Sequence, residues 1–196
     1  MIGDPATQEA LAQIFPLLPW ALDQMQVAID PLVFADLEPG TKASITHNLV
    51  MKEGARRFAE LRGIDAVNSS GLMHFALPDV LIRIKHARPG TLRIAINRTA
   101  QTLAWTSQLP LQGMTDPRDR LHLVYVPDAL WTKITRSIVA IYRGDVAKDW
   151  RDIDVDAWYE AGGSSIEPFT PDVKAPPLKL KPGIVALPLE EMNGIA

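Results

Sequence analysis

The chain contains no cysteine, which excludes disulfides, thiolate zinc sites, iron–sulfur clusters and a cysteine nucleophile. No apolar run approaches the roughly 18 residues that cross a bilayer, so no membrane association is expected. Residues Met1 to Gln13 lack a basic cluster and carry Asp4 and Glu9, which is unlike a secretory leader, and a cytoplasmic protein is expected. There is no Walker A loop, no Gly-x-Gly-x-x-Gly, no His-Glu-x-x-His and no Gly-x-Ser-x-Gly, and no cofactor is expected. The net charge is only −3 over 196 residues, so the chain as a whole is not a polycation built to coat nucleic acid.

What is present is a globular composition, 47% hydrophobic and 22% charged. Leu11, Ile14, Phe15 and Leu18, then Leu22, Met25 and Ile29, recur at helical spacing. Pro16 and Pro19 should break that run into two helices, because a helix interior tolerates proline poorly. Thr41 to Arg62 reads as the longest helix, with Thr41 as N-cap and Gly63 just past its end in the left-handed conformation. Its core stripe is expected at Ile45, Leu49, Ala55, Phe58, Ala59 and Leu61.

After Gly63 the pattern turns to strands: Ile64–Val67, Leu72–Leu77, Val80–Ile84, Leu92–Ile96, Leu121–Val126 and Lys133–Tyr142. Asn68 to Gly71, Pro78-Asp79 and Arg88 to Thr91 read as turns. Thr99–Gln108 and the acidic Trp150–Tyr159 read as short helices. This order describes an α+β protein with N-terminal helices packed on a mostly antiparallel sheet. Residues 1–160 are expected to form one domain, and residues 161–196 a proline-rich linker and docking arm. Pro168, Pro171, Pro176, Pro177 and Pro182 exclude regular structure there, and the apolar patch from Ile184 to Leu189 then returns. That patch suits docking on the chain's own domain or on a second copy, giving a homo-oligomer.

Charge is segregated. From Val80 to Thr115 there is no acidic residue, while Arg83, Lys85, His86, Arg88, Arg93 and Arg98 are all present. From Asp145 to Glu160 the sign reverses, with six carboxylates. One reading is two solvated faces of opposite charge. The sharper reading is a basic sheet face that meets an acidic protein or nucleic acid. On a strand, Arg83 and Lys85 share one face because the side-chain period is two. They are expected in solvent, with Ile82 and Ile84 in the core.

The same stretch also invites comparison with restriction-type nucleases. Those place a carboxylate on one strand, then an acid or glutamine and a lysine at i and i+2 on the next. Two carboxylates hold a divalent metal, and the lysine polarises the scissile phosphate or the attacking water. Asp79 precedes Arg83-Ile84-Lys85, with Asp65, Glu53 and Gln101 as further candidates. Because a cation stands where a metal ligand belongs, at Arg83, no metal site is expected. The four histidines, His47, His74, His86 and His122, show no ligand spacing. The tryptophans read as core or interface anchors.

The strand Val80 to Lys85, the segment Asn97-Arg98-Thr99-Ala100-Gln101, Trp105, Gln108-Leu109, Gly113 and the strand Leu121 to Val126 resemble an uncharacterised family of small bacterial and prophage proteins. The resemblance covers about Thr41 to Tyr142. The sequence departs from it at Ile84, where the family tends to an aromatic, and at Val124, where it tends to glycine. Genes of that family often neighbour helix-turn-helix regulators fused to IrrE-type peptidase-like domains. The resemblance implies a protein-binding component of a bacterial or phage mobile-element locus, of toxin–antitoxin or phage-defence type. This chain would be the toxin-side partner of a regulator or antitoxin. Its working surface is expected at Arg83, Lys85, Arg88, Arg93, Asn97, Arg98, Gln101 and Gln108. The alternatives are a metal-dependent nuclease or other nucleic-acid-targeting enzyme, and an assembly protein that uses its C-terminal arm.

Overall fold

The computed structural model describes residues 2–59, 63–69, 72–94, 100–106, 118–143 and 146–162. Asp4 caps the first helix, α1 (Pro5–Ile14), by accepting the Thr7 N–H at 3.0 Å. The chain breaks at Phe15-Pro16 and re-enters α2 (Leu17–Ala28). Pro19 is tolerated inside the first turn of α2, where backbone N–H groups have no intrahelical acceptor. Asp30-Pro31 starts α3 (Pro31–Asp36), with the Asp30 carboxylate on the Leu32 N–H at 2.9 Å.

The long helix α4 spans Pro39–Phe58. Thr41 is not its N-cap. The helix begins two residues earlier, with Glu38 at the cap position and Pro39 in the first turn, where its missing N–H costs nothing. The buried stripe is also rotated from the expected one. Thr46, Val50, Met51, Glu53, Gly54 and Phe58 face inward, Ile45 and Leu49 are half-buried, and Ala55 and Ala59 face solvent. Two things turn the helix this way. Gly54 lets it close on Phe75, and Glu53 is made buriable by Arg56 and Arg57, at 2.6 and 2.7 Å from its Oε1. Gly63 does adopt a left-handed conformation, with φ +104°.

Six strands follow: β1 (Asp65–Ser69), β2 (Leu72–Ala76), β3 (Val80–His86), β4 (Asp119–Pro127), β5 (Ile134–Arg143) and β6 (Val146–Ile153). They form one sheet in sequential order, antiparallel except for β3 and β4, which run parallel. A parallel pair needs a crossover, and helix α5 (Ala100–Thr106) lies on that connection. The fold is therefore α+β with N-terminal helices and a mostly antiparallel sheet. Among the described residues, no helix is long and apolar enough to cross a membrane.

Three sequence readings change here: of the expected strand Leu92–Ile96, the described residues make one isolated bridge, Ile94 to Ala87, and two more follow. Asn68 and Ser69 extend β1 rather than turn, pairing with Met73 and Leu72. The stretch from Trp150 to Ile153 belongs to β6, and the helix α6 is limited to Val155–Glu160. Trp150 and Ile153 stand three apart, which on a helix would put them on one face. On the strand they point to opposite faces, Trp150 beside Ala140 and Ile153 beside Ser137. Arg88 to Thr91 is the expected turn, closed by Thr91 N–H on the Arg88 carbonyl at 3.2 Å with Gly90 at φ +75°. The proposed arm lies outside the described residues from Gly163 onward.

Both faces of the sheet are covered. On the near face, α1, α2, α4 and α6 pack on Phe75, Ile82, Ile84, Leu121, Leu123 and Val139. On the far face, Trp105 of α5 packs on Leu72, Ala76 and Leu81, while Leu92 and Ile94 pack on Val124, Ile138, Ala140 and Tyr142. This two-sided cover decides the environment of every side chain on β3 and β4.

Candidate functional site

Strand β3 alternates as the sequence suggests, with Ile82 and Ile84 in the near-face core. Its other face is not solvent. Arg83 is only 7% exposed, and Lys85 is half-buried. The expectation that both cations face water is thus overturned, because α5 and the Leu92–Ile94 segment cover the far side of a central strand. Strand β4 repeats the pattern with opposite parity. Leu121 and Leu123 face the helices, and Arg120 and His122 face the far side, both buried.

The parallel register brings the two sets together. Arg83 stands opposite His122, Leu81 opposite Arg120 and Lys85 opposite Val124. The His122 ring lies 5.0 Å from the Tyr142 ring and 6.1 Å from the Trp105 indole. His74 of β2 lies 5.3 Å from the same indole. The guanidinium carbon of Arg120 is 5.9 Å from it, in reach of a cation–π contact. His74 Nδ1 is 3.2 Å from the Leu72 carbonyl oxygen. A carbonyl only accepts, so that nitrogen carries the proton. The Tyr142 hydroxyl donates to the Leu92 carbonyl at 2.6 Å and so ties the far-face segment to the sheet.

Several polar groups in this cluster make no hydrogen bond among the described residues. Arg83 Nε and Nη1, both ring nitrogens of His122 and the Trp105 indole N–H are buried and make no hydrogen bond among the described residues. Burial lowers the Arg83 guanidinium to about 10. Burial, and then the charge of Arg83, lowers Lys85 to about 8. Both remain cationic at neutral pH. Burial and the charges of Arg83 and Lys85 hold His122 well below its ordinary value, so the ring is neutral. His47 on α4 is lowered to about 4, first by burial and then by the same two charges.

The sheet opens beside this cluster. Strands β2 and β3 pair at Phe75–Ile82 and Ala76–Leu81, whereas β3 continues beside β4 as far as His86–Tyr125. Arg83 and Lys85 therefore lie on a stretch of β3 that has a ladder partner on its β4 side and none from β2. The two strands part there like a fork.

The carboxylates of the nuclease arrangement are not gathered here. Asp79 sits exposed in the β2–β3 turn, and Asp65 is exposed at the start of edge strand β1. Glu53 is engaged by two arginines on α4. Asp79 lies four steps along the chain from Arg83, about 13 Å at the usual rise. Among the described residues, no group of three or more His, Cys, Asp or Glu could hold a metal ion.

Of the other residues expected at the working surface, Arg88 and Arg93 are exposed at and just after the turn that follows β3, and Gln101 lies in α5. Asn97, Arg98 and Gln108 lie outside the described residues. The structure adds Arg120, His122, His74 and Trp105 to Arg83 and Lys85. For Arg120 and His122 a signal was present in their alternation with Leu121 and Leu123, which matches that of Arg83 and Lys85 with Ile82 and Ile84. Comparison of the chain with protein-family models, with curated proteins and with solved structures finds no match.

Proposed function

We propose that the chain is a protein-binding component of a bacterial or phage mobile-element locus, acting in the cytoplasm as the toxin-side partner of a regulator or antitoxin. The locus and the partner come from the resemblance of the Thr41–Tyr142 region. The observation that carries the binding part is the corner between α2 and α3. Val27, Leu32 and Val33 are exposed there, and α3 buries none of its residues. A cluster of exposed leucine and valine beside a helix that buries no residue is the kind of apolar patch a protein partner covers. The basic strand does not serve as the docking surface in this reading, since Arg83 is covered. A hydrolytic role is less favoured, because Asp65, Asp79 and Glu53 are held apart from Lys85.

The test is co-expression with the adjacent regulator gene. The regulator should copurify with the wild-type chain and relieve any growth arrest caused by the chain alone. Leu32→Glu with Val33→Glu should abolish copurification while leaving the circular dichroism spectrum unchanged. Retention of the regulator by that double variant would sink the proposed surface. Failure of the wild-type pair to associate would sink the reading.

A further inference from the structure

The corner between α2 and α3 carries a charge as well as an apolar surface. Val27, Leu32, Val33 and Leu130 are each more than half exposed. Leu130 is brought to the other three by one hydrogen bond. Gln26 Nε2, next to Val27, donates to the carbonyl of Trp131, next to Leu130, at 2.8 Å, which holds the β4–β5 turn against the end of α2. The charges around this patch are of one sign. Residues 1 to 41 contain six carboxylates and no lysine or arginine. Three of the six, Asp30, Asp36 and Glu38, are exposed on or beside α3. The first cation in the chain, Lys42, is only 8% exposed, with its Nζ 4.5 Å from the centre of the Phe34 ring. On the β4–β5 turn, the charge of Lys133 is met by Asp128.

We infer that this corner binds a basic amphipathic helix, one with an apolar stripe flanked by lysine and arginine. The inference rests on the reading of the corner as a partner surface and adds what the partner must present. Exposed leucine and valine select an apolar counterpart. The corner is built from helices and a turn rather than from a strand edge, so recognition runs through side chains. An amphipathic helix suits that geometry, because its anchors at i, i+3 and i+4 fall on one face. Asp30, Asp36 and Glu38 select cations beside the stripe, and they repel an acidic helix or a phosphate backbone. A second copy of the same corner is disfavoured for the same reason, since a two-fold contact would set these carboxylates against their own counterparts.

The experiment titrates the full chain into a fluorescent synthetic helix of about 18 residues, five turns, with leucine on one face and lysine on the other. A second peptide carries glutamate in place of lysine. The lysine peptide should bind saturably, and the glutamate peptide about tenfold or more weakly. Asp30→Asn with Asp36→Asn and Glu38→Gln should weaken the lysine peptide severalfold, as should added salt. Asparagine keeps the cap that Asp30 gives α3. Leu32→Ser with Val33→Ser should abolish binding. Asp65→Asn with Asp79→Asn, away from the corner, should leave it unchanged. Equal binding of the two peptides, undiminished binding by the triple variant, or equal weakening by the Asp65 and Asp79 changes overturns the inference. A dimer of the chain alone that Leu32→Ser with Val33→Ser splits assigns the corner to a second copy and also overturns it. The partner reading is judged separately, by copurification. A regulator held equally well by the triple variant overturns the charge requirement and leaves the partner reading standing. A regulator that never associates, beside a lysine peptide that does, ends the partner reading and leaves the chemistry of the corner standing.

Discussion

Phe75 occupies the space that a side chain on Gly54 would need. A methyl group built on Gly54 would come within 2.5 Å of Phe75 Cε1 and 2.8 Å of Cζ. The ring is itself fixed by an edge-on contact with Phe58, at 5.7 Å between centroids. Gly54 is therefore where α4 closes on the sheet. Gly54→Ala, which would favour an isolated helix by about 1 kcal/mol, should instead destabilise the protein by roughly 1–3 kcal/mol through overpacking. Urea denaturation measures this. Combining it with Phe75→Leu should recover part of the loss, and additive losses would show that the two residues do not share the space.

Acid should unfold the protein early. The folded state holds His47 at about 4, against 6.5 in the unfolded chain, and holds His122 well below 6.5. Between those values the unfolded chain binds more protons, so stability is fully present above about pH 6.5 and is lost as the pH falls toward 4. The His47 contribution alone is up to about 3 kcal/mol. Denaturation midpoints should fall across that window, and His47→Gln should flatten the slope.

The alkaline limb should run the other way at first. Lys85 is lowered to about 8 from 10.5, so the unfolded chain binds more protons between these values and stability rises with pH. Above about pH 10 the buried hydroxyls of Tyr125 and Tyr142, pushed up by burial, reverse the trend, because the unfolded tyrosines ionise first. The melting temperature should pass through a maximum near pH 9–10, and Lys85→Met should remove the rise.

Ending the chain after Gly163 should leave a folded protein. Helix α6 already closes on the core, with Trp158 edge-on to Phe15 at 5.1 Å and the Tyr159 hydroxyl accepting the Ile134 N–H at 3.3 Å. Cooperative unfolding should persist, while self-association or regulator binding weakens. Sedimentation and thermal melts separate the outcomes. An unfolded product would make the arm part of the core, and an unchanged product would make it idle.

The strands were legible where local alternation is strong, as in β3, β4 and β5, and their inward apolar residues were read correctly at Ile82 and Ile84. The fate of Arg83 was not legible, because whether the second face of a strand meets water depends on what α5 and Leu92–Ile94 do, and those lie well beyond the strand itself. His122 looked like one scattered histidine, since only the parallel register sets it beside Arg83. The acidic stretch Trp150–Tyr159 was read as one helix, although the spacing of three between Trp150 and Ile153 fits opposite strand faces as well as one helix face. Glu53 hid in plain sight on the polar side of α4 until its two arginines made burial affordable.

The fork between β2 and β3 divides the sheet in its dynamics. The β1–β2 hairpin is joined to the remaining strands at two residue pairs, Phe75–Ile82 and Ala76–Leu81, whereas β3, β4 and β5 are laced by long ladders. Local opening follows the weakest seam. Amide hydrogens of Ala66 to Asn68 should therefore exchange with solvent through an excursion that leaves Leu121 to Tyr125 shut. Exchange of Ala66 to Asn68 as slow as that of Leu121 to Tyr125 would show that the hairpin opens only with the whole sheet.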